Sequence, residues 1–342
     1  MASMKIEEHR DWNARLVTGC RKAGRQPSRR VRLPTSGPIT VTGRDQHATI
    51  SLTRDAVSEN MQKNAACFEG WAIALRRWAN ADSVSLEWEV PEGIQVSQPR
   101  GTDWRHYQRF LYRTERFQSL FPEWFRIAHS NPEANALQEG SLFVNVAGKR
   151  TDTEPAPEMS GHRSAPEHEL EHRLLRSGEL NAHYKLGPEC IKDRQFPVGL
   201  FSGNPPSRAN AVFPGGKGAI DLVCLDGPNI WIFELKAGPN IPLGTLTELL
   251  FYTSLLRDAV AGRFRFAKQA KTNAGLSPDM LRGVKTINAV MLGHDLHPLL
   301  DDPAIFAMLN EAVGSHWDSD RIPVVTFRAG QLTENPFGIR DC

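Results

Sequence analysis

Apolar and polar positions recur along this chain at two periods, and the changes between them mark its elements. Pro38 to Thr42 and Ala48 to Thr53 alternate as short strands do, joined by a turn at Gly43-Arg44-Asp45. Met61, Ala65, Phe68, Trp71, Ala72 and Leu75 recur at helical spacing, which predicts a helix over Ser58 to Asn80. Ser83 to Val90 alternates again, as a half-buried strand. A helix is expected over Asp103 to His129, interrupted at Pro122, and a closing strand over Ser141 to Ala147. Residues 1–35 show no clear apolar period and read as a flexible arm with one short helix. Residues 148–165 have mixed charge and no apolar period, and read as a linker.

Beyond the linker the pattern sharpens. A helix from Pro166 to Ser177 is followed by three strands, Gln195 to Phe201, Ala219 to Leu225 and Asn229 to Lys236. Then come a helix from Thr245 to Val260, a strand from Lys285 to Gly293, a helix from Pro303 to Val313 and a last strand from Ile322 to Arg328. This α-β-β-β-α-β-α-β order implies an α/β domain over 166–342, with a mixed sheet flanked by helices. An α+β domain over 1–147 precedes it.

Composition adds limits. The 342 residues suit two domains. No apolar run reaches the ~18 residues of a membrane span. The charged start MASMKIEEHRDWNARL is unlike a signal peptide, so a cytoplasmic protein is expected. Five scattered cysteines without a C-x-x-C pair argue against a disulfide framework or a structural zinc site. Residues 1–150 hold 22 Lys/Arg against 16 Asp/Glu, a net +6; the remainder holds 19 against 23, a net −4. The cluster Arg21, Lys22, Arg25, Arg29, Arg30 and Arg32 reads equally as a set of phosphate contacts or as a solvated basic segment. The interleaved Trp104, Arg105, Tyr107, Arg109, Phe110, Tyr112, Arg113, Arg116 and Phe117 can stack on single strands, but a helix with one buried and one solvated face is the preferred reading.

Chemistry concentrates on two neighbouring strands, GAIDLVCLDG and NIWIFELK. Residues two apart share a strand face, so Ile230, Ile232, Glu234 and Lys236 lie together. Both faces of that strand are apolar until Glu234 and Lys236, as expected of a strand covered on both sides. An unpaired charge there is costly. Asp221 interrupts its own strand in the same way. Magnesium takes oxygen ligands and keeps several waters, so Asp221, Glu234 and the main-chain carbonyl of Leu235 suffice to hold it. Lys236 would orient or deprotonate a metal-bound water, and the product would be a cleaved phosphodiester. The plainer alternative is an ion pair between Glu234 and Lys236 at a strand end. Lys217, in Gly215-Gly216-Lys217-Gly218, is a candidate phosphate contact, although the run is not a nucleotide P-loop and reads otherwise as a tight turn.

The run GAIDLVCLDGPNIWIFELKAG, with the helices on either side, resembles the PD-(D/E)XK nuclease superfamily over roughly residues 166–328. The resemblance implies a restriction-endonuclease-like fold with an α-β-β-β-α-β core, and Mg2+ or Mn2+ on Asp221 and Glu234 with Lys236 assisting the water. It further implies a metal-completing Glu on the first core helix, for which Glu171 fits best and Glu167 is the fallback. Arg194-Gln195 resembles a pair in some relatives that touches substrate, and reads otherwise as the polar start of a strand. Many relatives carry Gln-x-x-x-Tyr on the helix after the E-x-K strand; Tyr252 matches, and Glu248 departs from the Gln. The expected partner is nucleic acid, DNA before RNA, with no membrane and with a homodimer possible for cutting both strands; restriction or defence against foreign DNA is the role by analogy. Two other functions compete. His168-Glu169-Leu170-Glu171-His172 matches the zinc-protease pattern H-E-x-x-H, with Glu189 as a possible third ligand. A nuclease-like fold can also serve only to bind nucleic acid or partner proteins.

Overall fold

The computed structural model describes residues 7–27, 31–34, 37–91, 102–128, 141–144, 166–214, 218–238, 243–267, 276, 278–317 and 323–342. The expected linker lies outside them. By its contacts the chain forms two units. One comprises residues 1–137, 242–248 and 297–312; the other comprises 138–241, 249–296 and 313–342. Where the sequence pattern divides the chain once, these units exchange segments several times. Both are mixed α/β. Among the described residues no helix is long and apolar enough to cross a membrane.

The first unit begins with α1, His9–Lys22, then β1, Ile39–Arg44, and β2, His47–Leu52. The arm expected at the amino terminus is instead a packed helix. Trp12, Leu16 and Cys20, spaced by four, are all fully buried. The strands β1 and β2 are antiparallel, with Arg44 opposite His47, so the turn falls on Asp45-Gln46 and shares only Asp45 with the expected one. Both residues have positive φ, 50° and 68°, as the tight hairpin turn requires.

The helix expected over Ser58 to Asn80 is two helices, α2, Arg54–Ser58, and α3, Phe68–Arg77. The side chain of Asn60 accepts the Gln62 N–H at 3.2 Å, offering the backbone an alternative to the helix. The Asn64 carbonyl is taken by the Trp71 indole at 2.7 Å.

Next come β3, Ser83–Trp88, α4, Thr102–Leu120, and β4, Phe125–Ile127. Pro122 does not merely interrupt a helix; beyond it the chain pairs with β3 as a strand. The sheet order is β1-β2-β3-β4, with β2, β3 and β4 parallel. The expected solvated face of α4 is missing among its described side chains: Trp104, Arg105 and Arg109 are half-buried, and the other aromatic and Arg side chains are covered further. Tyr107, Phe110, Tyr112 and Phe117 are buried, and so are Arg113 and Arg116. Phe117 packs edge-on against Phe125, with ring centroids 4.6 Å apart.

The second unit contains β5, Phe143–Val144, α5, Pro166–Ser177, α6, Glu179–Tyr184, and β6, Ile191–Pro197. There follow β7, Leu200–Phe201, β8, Ala219–Asp226, and β9, Asn229–Lys236. The helix α7, Gly244–Val260, has its first turn in the first unit and the rest in the second. After β10, Arg265–Phe266, α8, Pro278–Arg282, and β11, Thr286–Gly293, the helix α9, Pro303–Ala312, belongs to the first unit. A hairpin of β12, Val324–Glu334, and β13, Phe337–Asp341, ends the chain. The single strand expected over Gln195 to Phe201 is thus divided between two sheets: β6 joins the large one, and β7 pairs with β5 in a small one. Of the strand expected at Ser141 to Ala147, Phe143–Val144 is the part described.

The large sheet has the order β13-β12-β11-β9-β8-β6. The strands β6, β8 and β9 form an antiparallel meander; β9, β11 and β12 are parallel. One face is sealed by α5 and α6, whose Leu170, Leu174 and Leu180 pack with Leu222, Cys224, Phe233, Leu235, Val290 and Leu292. Burying six or more such side chains, at roughly 1.5–3 kcal/mol each, holds α5 in one position on the sheet. That position decides where its polar stripe points.

Candidate functional site

The apolar stripe of α5, Leu170 and Leu174, is one step away from a polar stripe of Glu167, His168 and Glu171. Glu171 is only 1 % exposed. Its two oxygens accept from β6: Gln195 Nε2 donates to Oε1 at 2.7 Å, and Arg194 Nη1 donates to Oε2 at 3.2 Å. His168 Nδ1 lies 3.2 Å from the same Arg194 nitrogen and 3.5 Å from Glu171 Oε2. Burial pushes the Glu171 carboxyl above the ordinary carboxylate range, against the lowering influence of His168, Gln195 and Arg194.

Gln195 is reached by a strained backbone. Its φ is +49°, in the left-handed region, while Arg194 and Phe196 on either side keep their ladder partners Leu222 and Ile220. The amide is thereby aimed at two carboxylates, since Nε2 also lies 3.4 Å from Asp221 Oδ1. Such strain costs on the order of 1–3 kcal/mol and persists only where its surroundings enforce it.

Asp221 works in turn on β9. The ladder between β8 and β9 ends at Leu222 opposite Phe233. One step further, Asp221 Oδ2 accepts the Leu235 N–H at 2.7 Å, so a carboxylate replaces a backbone carbonyl and the two strands part. Glu234 and Lys236 follow on β9, buried at 3 % and 9 % exposure. Lys236 Nζ donates to Glu234 Oε1 at 3.1 Å and lies 3.6 Å from Glu167 Oε1.

The structure therefore gathers Glu171, Asp221, Glu234 and Lys236 at adjoining strand ends, as expected from sequence, and draws in Arg194 and Gln195. These two lie inside β6 rather than before it and hold carboxylates. Glu167, the fallback acid, accompanies Lys236 while Glu171 faces Asp221 through Gln195. The double contact of Gln195 was not foreseen; its only trace in the sequence is a polar pair inside a strand. Leu235 contributes its N–H to Asp221. Tyr252 is buried, and a Cβ placed on Gly218 would stand 3.7 Å from its ring and hydroxyl, so Tyr252 abuts the start of β8. Lys217 lies outside the described residues. Glu248 does not join the cluster described here: its Oε1 accepts from Gln62 in the first unit at 2.7 Å.

Among the described contacts, four carboxylates, Glu167, Glu171, Asp221 and Glu234, share this cluster with two basic side chains, Arg194 and Lys236. Low dielectric makes such an excess of negative charge costly, and a divalent cation would offset it. The donor chemistry fits a magnesium-type ion, which takes one or two carboxylates and keeps its waters. It does not fit a closed cage. Among the described residues no set of three or more His, Cys, Asp and Glu side chains stands in metal-ligand spacing. The H-E-x-x-H reading accordingly gains no third ligand, from Glu189 or elsewhere among them. His168 is instead turned to Arg194 and Glu171, and His172 is buried.

No family model, curated protein or solved structure matches the chain.

Proposed function

We propose that the chain is a divalent-metal-dependent nuclease of the PD-(D/E)XK type, hydrolysing phosphodiester bonds, in DNA before RNA. One observation carries this reading: three buried carboxylates and a lysine converge from α5, β8 and β9 where the strands part, with negative charge in excess. The connectivity supports it. The helix α5, the antiparallel meander β6-β8-β9, α7 and the parallel strand β11 follow one another in the α-β-β-β-α-β order of that fold.

Asp221 and Glu234 would hold Mg2+ or Mn2+, with the Leu235 carbonyl as a further oxygen and Glu171 beside them, tied to Asp221 through Gln195. The bound ion supplies Lewis acidity toward a phosphate oxygen and a more acidic water. The rest falls to the chain. Lys236, held by Glu234 and Glu167, donates to the attacking water and to a phosphate oxygen, offsetting charge as it develops. Gln195 fixes the spacing of Glu171 and Asp221 by donating to both. Arg194 keeps Glu171 turned inward and would lend its positive charge to a bound phosphate.

The test is cleavage of plasmid and linear DNA, single- and double-stranded, by the full chain in magnesium, manganese, zinc or EDTA. Lys236→Ala and Asp221→Ala are run alongside. Cleavage that needs magnesium or manganese and vanishes in both variants supports the reading. If no nucleic acid is cut under any condition, the reading fails and a non-catalytic binding protein becomes the better one.

A further inference from the structure

Cys190 and Cys224 are far apart in sequence, but the fold sets them together. Lys192 pairs with Cys224 across the antiparallel β6–β8 ladder. Cys190, two residues before Lys192, therefore lies on the same face of the sheet, one diagonal step from Cys224. Both thiols belong to the core cluster beneath α5 and α6, Cys224 fully buried and Cys190 half-buried at its margin. The approach is fixed by the turn before β6. The Gly187 N–H donates to Asp226 Oδ2 at 3.1 Å, tying the turn to the end of β8, and the Cys190 N–H closes it on the Gly187 carbonyl at 3.2 Å.

We propose that Cys190 and Cys224 form an oxidation site that closes to a disulfide when the protein meets a hydroperoxide. The Cys190 thiolate attacks the peroxide; an S–O bond forms, the O–O bond breaks, and the leaving oxygen departs as water or alcohol with a proton. The Cys224 sulfur then attacks the sulfenic sulfur. An S–S bond forms, and hydroxide leaves as water with the Cys224 proton. Two thiols lose two electrons, and the peroxide takes them. The other thiols differ from this pair. The neighbouring Cys224 side chain, then Lys192, favour the thiolate at Cys190 against the opposing effect of its burial. Burial pushes Cys20 and Cys67 upward. The bond would tie β6 to β8, the strands that bear Gln195 and Asp221.

The experiment treats the full chain carrying Cys342→Ser, which removes the exposed thiol, with hydrogen peroxide near equimolar ratio. Intact mass and a non-reducing peptide map are recorded. The expected product has lost two hydrogens, joins the peptides of Cys190 and Cys224, and reverts with dithiothreitol; Cys190→Ser abolishes it. In Cys224→Ala, Cys190 is expected to be labelled as a sulfenic acid by a carbon nucleophile such as dimedone. Sulfinic acid at Cys190 beside an intact Cys224 thiol in the parent protein overturns the proposal. So does a pair that stays reduced while Cys20 or Cys67 reacts. Neither readout depends on nuclease activity.

Discussion

Two buried charge clusters, one in each unit, are built on opposite plans. In the first unit Glu69 and Arg113 face each other at 2 % and 4 % exposure. Arg113 Nε and Nη2 donate to the two carboxylate oxygens at 2.8 and 2.6 Å, Thr247 Oγ1 adds a third bond at 3.0 Å, and Arg113 also donates to the Ala66 carbonyl at 2.8 Å. One charge meets one charge in a bidentate fork. In the second unit the cluster of Glu167, Glu171, Asp221, Glu234, Arg194 and Lys236 is unbalanced, and its geometry rests on a left-handed Gln195 and a carboxylate inserted between strands. On the proposed function, the difference separates burial that maintains a fold from burial that prepares chemistry. A closed pair has nothing left to offer a ligand, whereas an excess of one sign is stabilised by a ligand of the other.

The largest expected effect breaks the second cluster. Lys236→Ala should lower single-turnover DNA cleavage per folded molecule by about 10²–10⁴-fold, the usual worth of a group that handles a proton or a water. A comparable loss of folding in place of activity would make this cluster the structural one. The converse variant is Arg113→Ala. Leaving Glu69 buried without its partner should remove about 3–5 kcal/mol of stability, read from urea unfolding, with cleavage per folded molecule unchanged. A smaller effect tests the charge excess directly. Magnesium at a hundred times its Kd should stabilise the protein by about 2.7 kcal/mol, and Asp221→Asn should abolish that gain while Glu69→Gln leaves it.

The smallest effect follows from Glu171, whose carboxyl burial raises. Well below the ordinary carboxylate range it is protonated in both states and contributes nothing. As pH rises from that range through the elevated folded value, the folded chain holds the proton longer than the unfolded one, so stability is lost. Glu171→Gln should remove that slope. The variant should unfold at a modestly higher temperature than its parent at pH 7, with no gain near pH 3.

Much of the second unit was legible because its strands are apolar on both faces, so each charge in them stands out. Asp221, Glu234 and Lys236 were found in this way. Glu171 came from resemblance, and burial of Leu170 and Leu174 places it. What was hidden depends on backbone geometry that no side-chain pattern encodes: the positive φ at Gln195, and the parting of β8 from β9. Breaks in elements were hidden for a related reason. The apolar spacing from Met61 to Leu75 runs on unbroken, while the Asn60 and Asn64 contacts that replace helical turns are local and leave no periodic trace. In α1 a single stripe of Trp12, Leu16 and Cys20 was masked by the cations around it. The hairpin of β12 and β13 was missed because its outer strand, half-exposed at Phe337 to Ile339, carries no alternation.

The exchange of segments between the units bears on how the protein is made. The chain passes from one unit to the other five times, and the first unit is incomplete until residue 312 is in place. On a ribosome delivering roughly 5–20 residues per second, an amino-terminal domain ordinarily finishes folding before the next one emerges. Here that order is blocked: α9, synthesised after most of the second unit, belongs to the unit begun first. The first unit therefore cannot be completed before most of the second has been made, and no product truncated before residue 312 contains it whole.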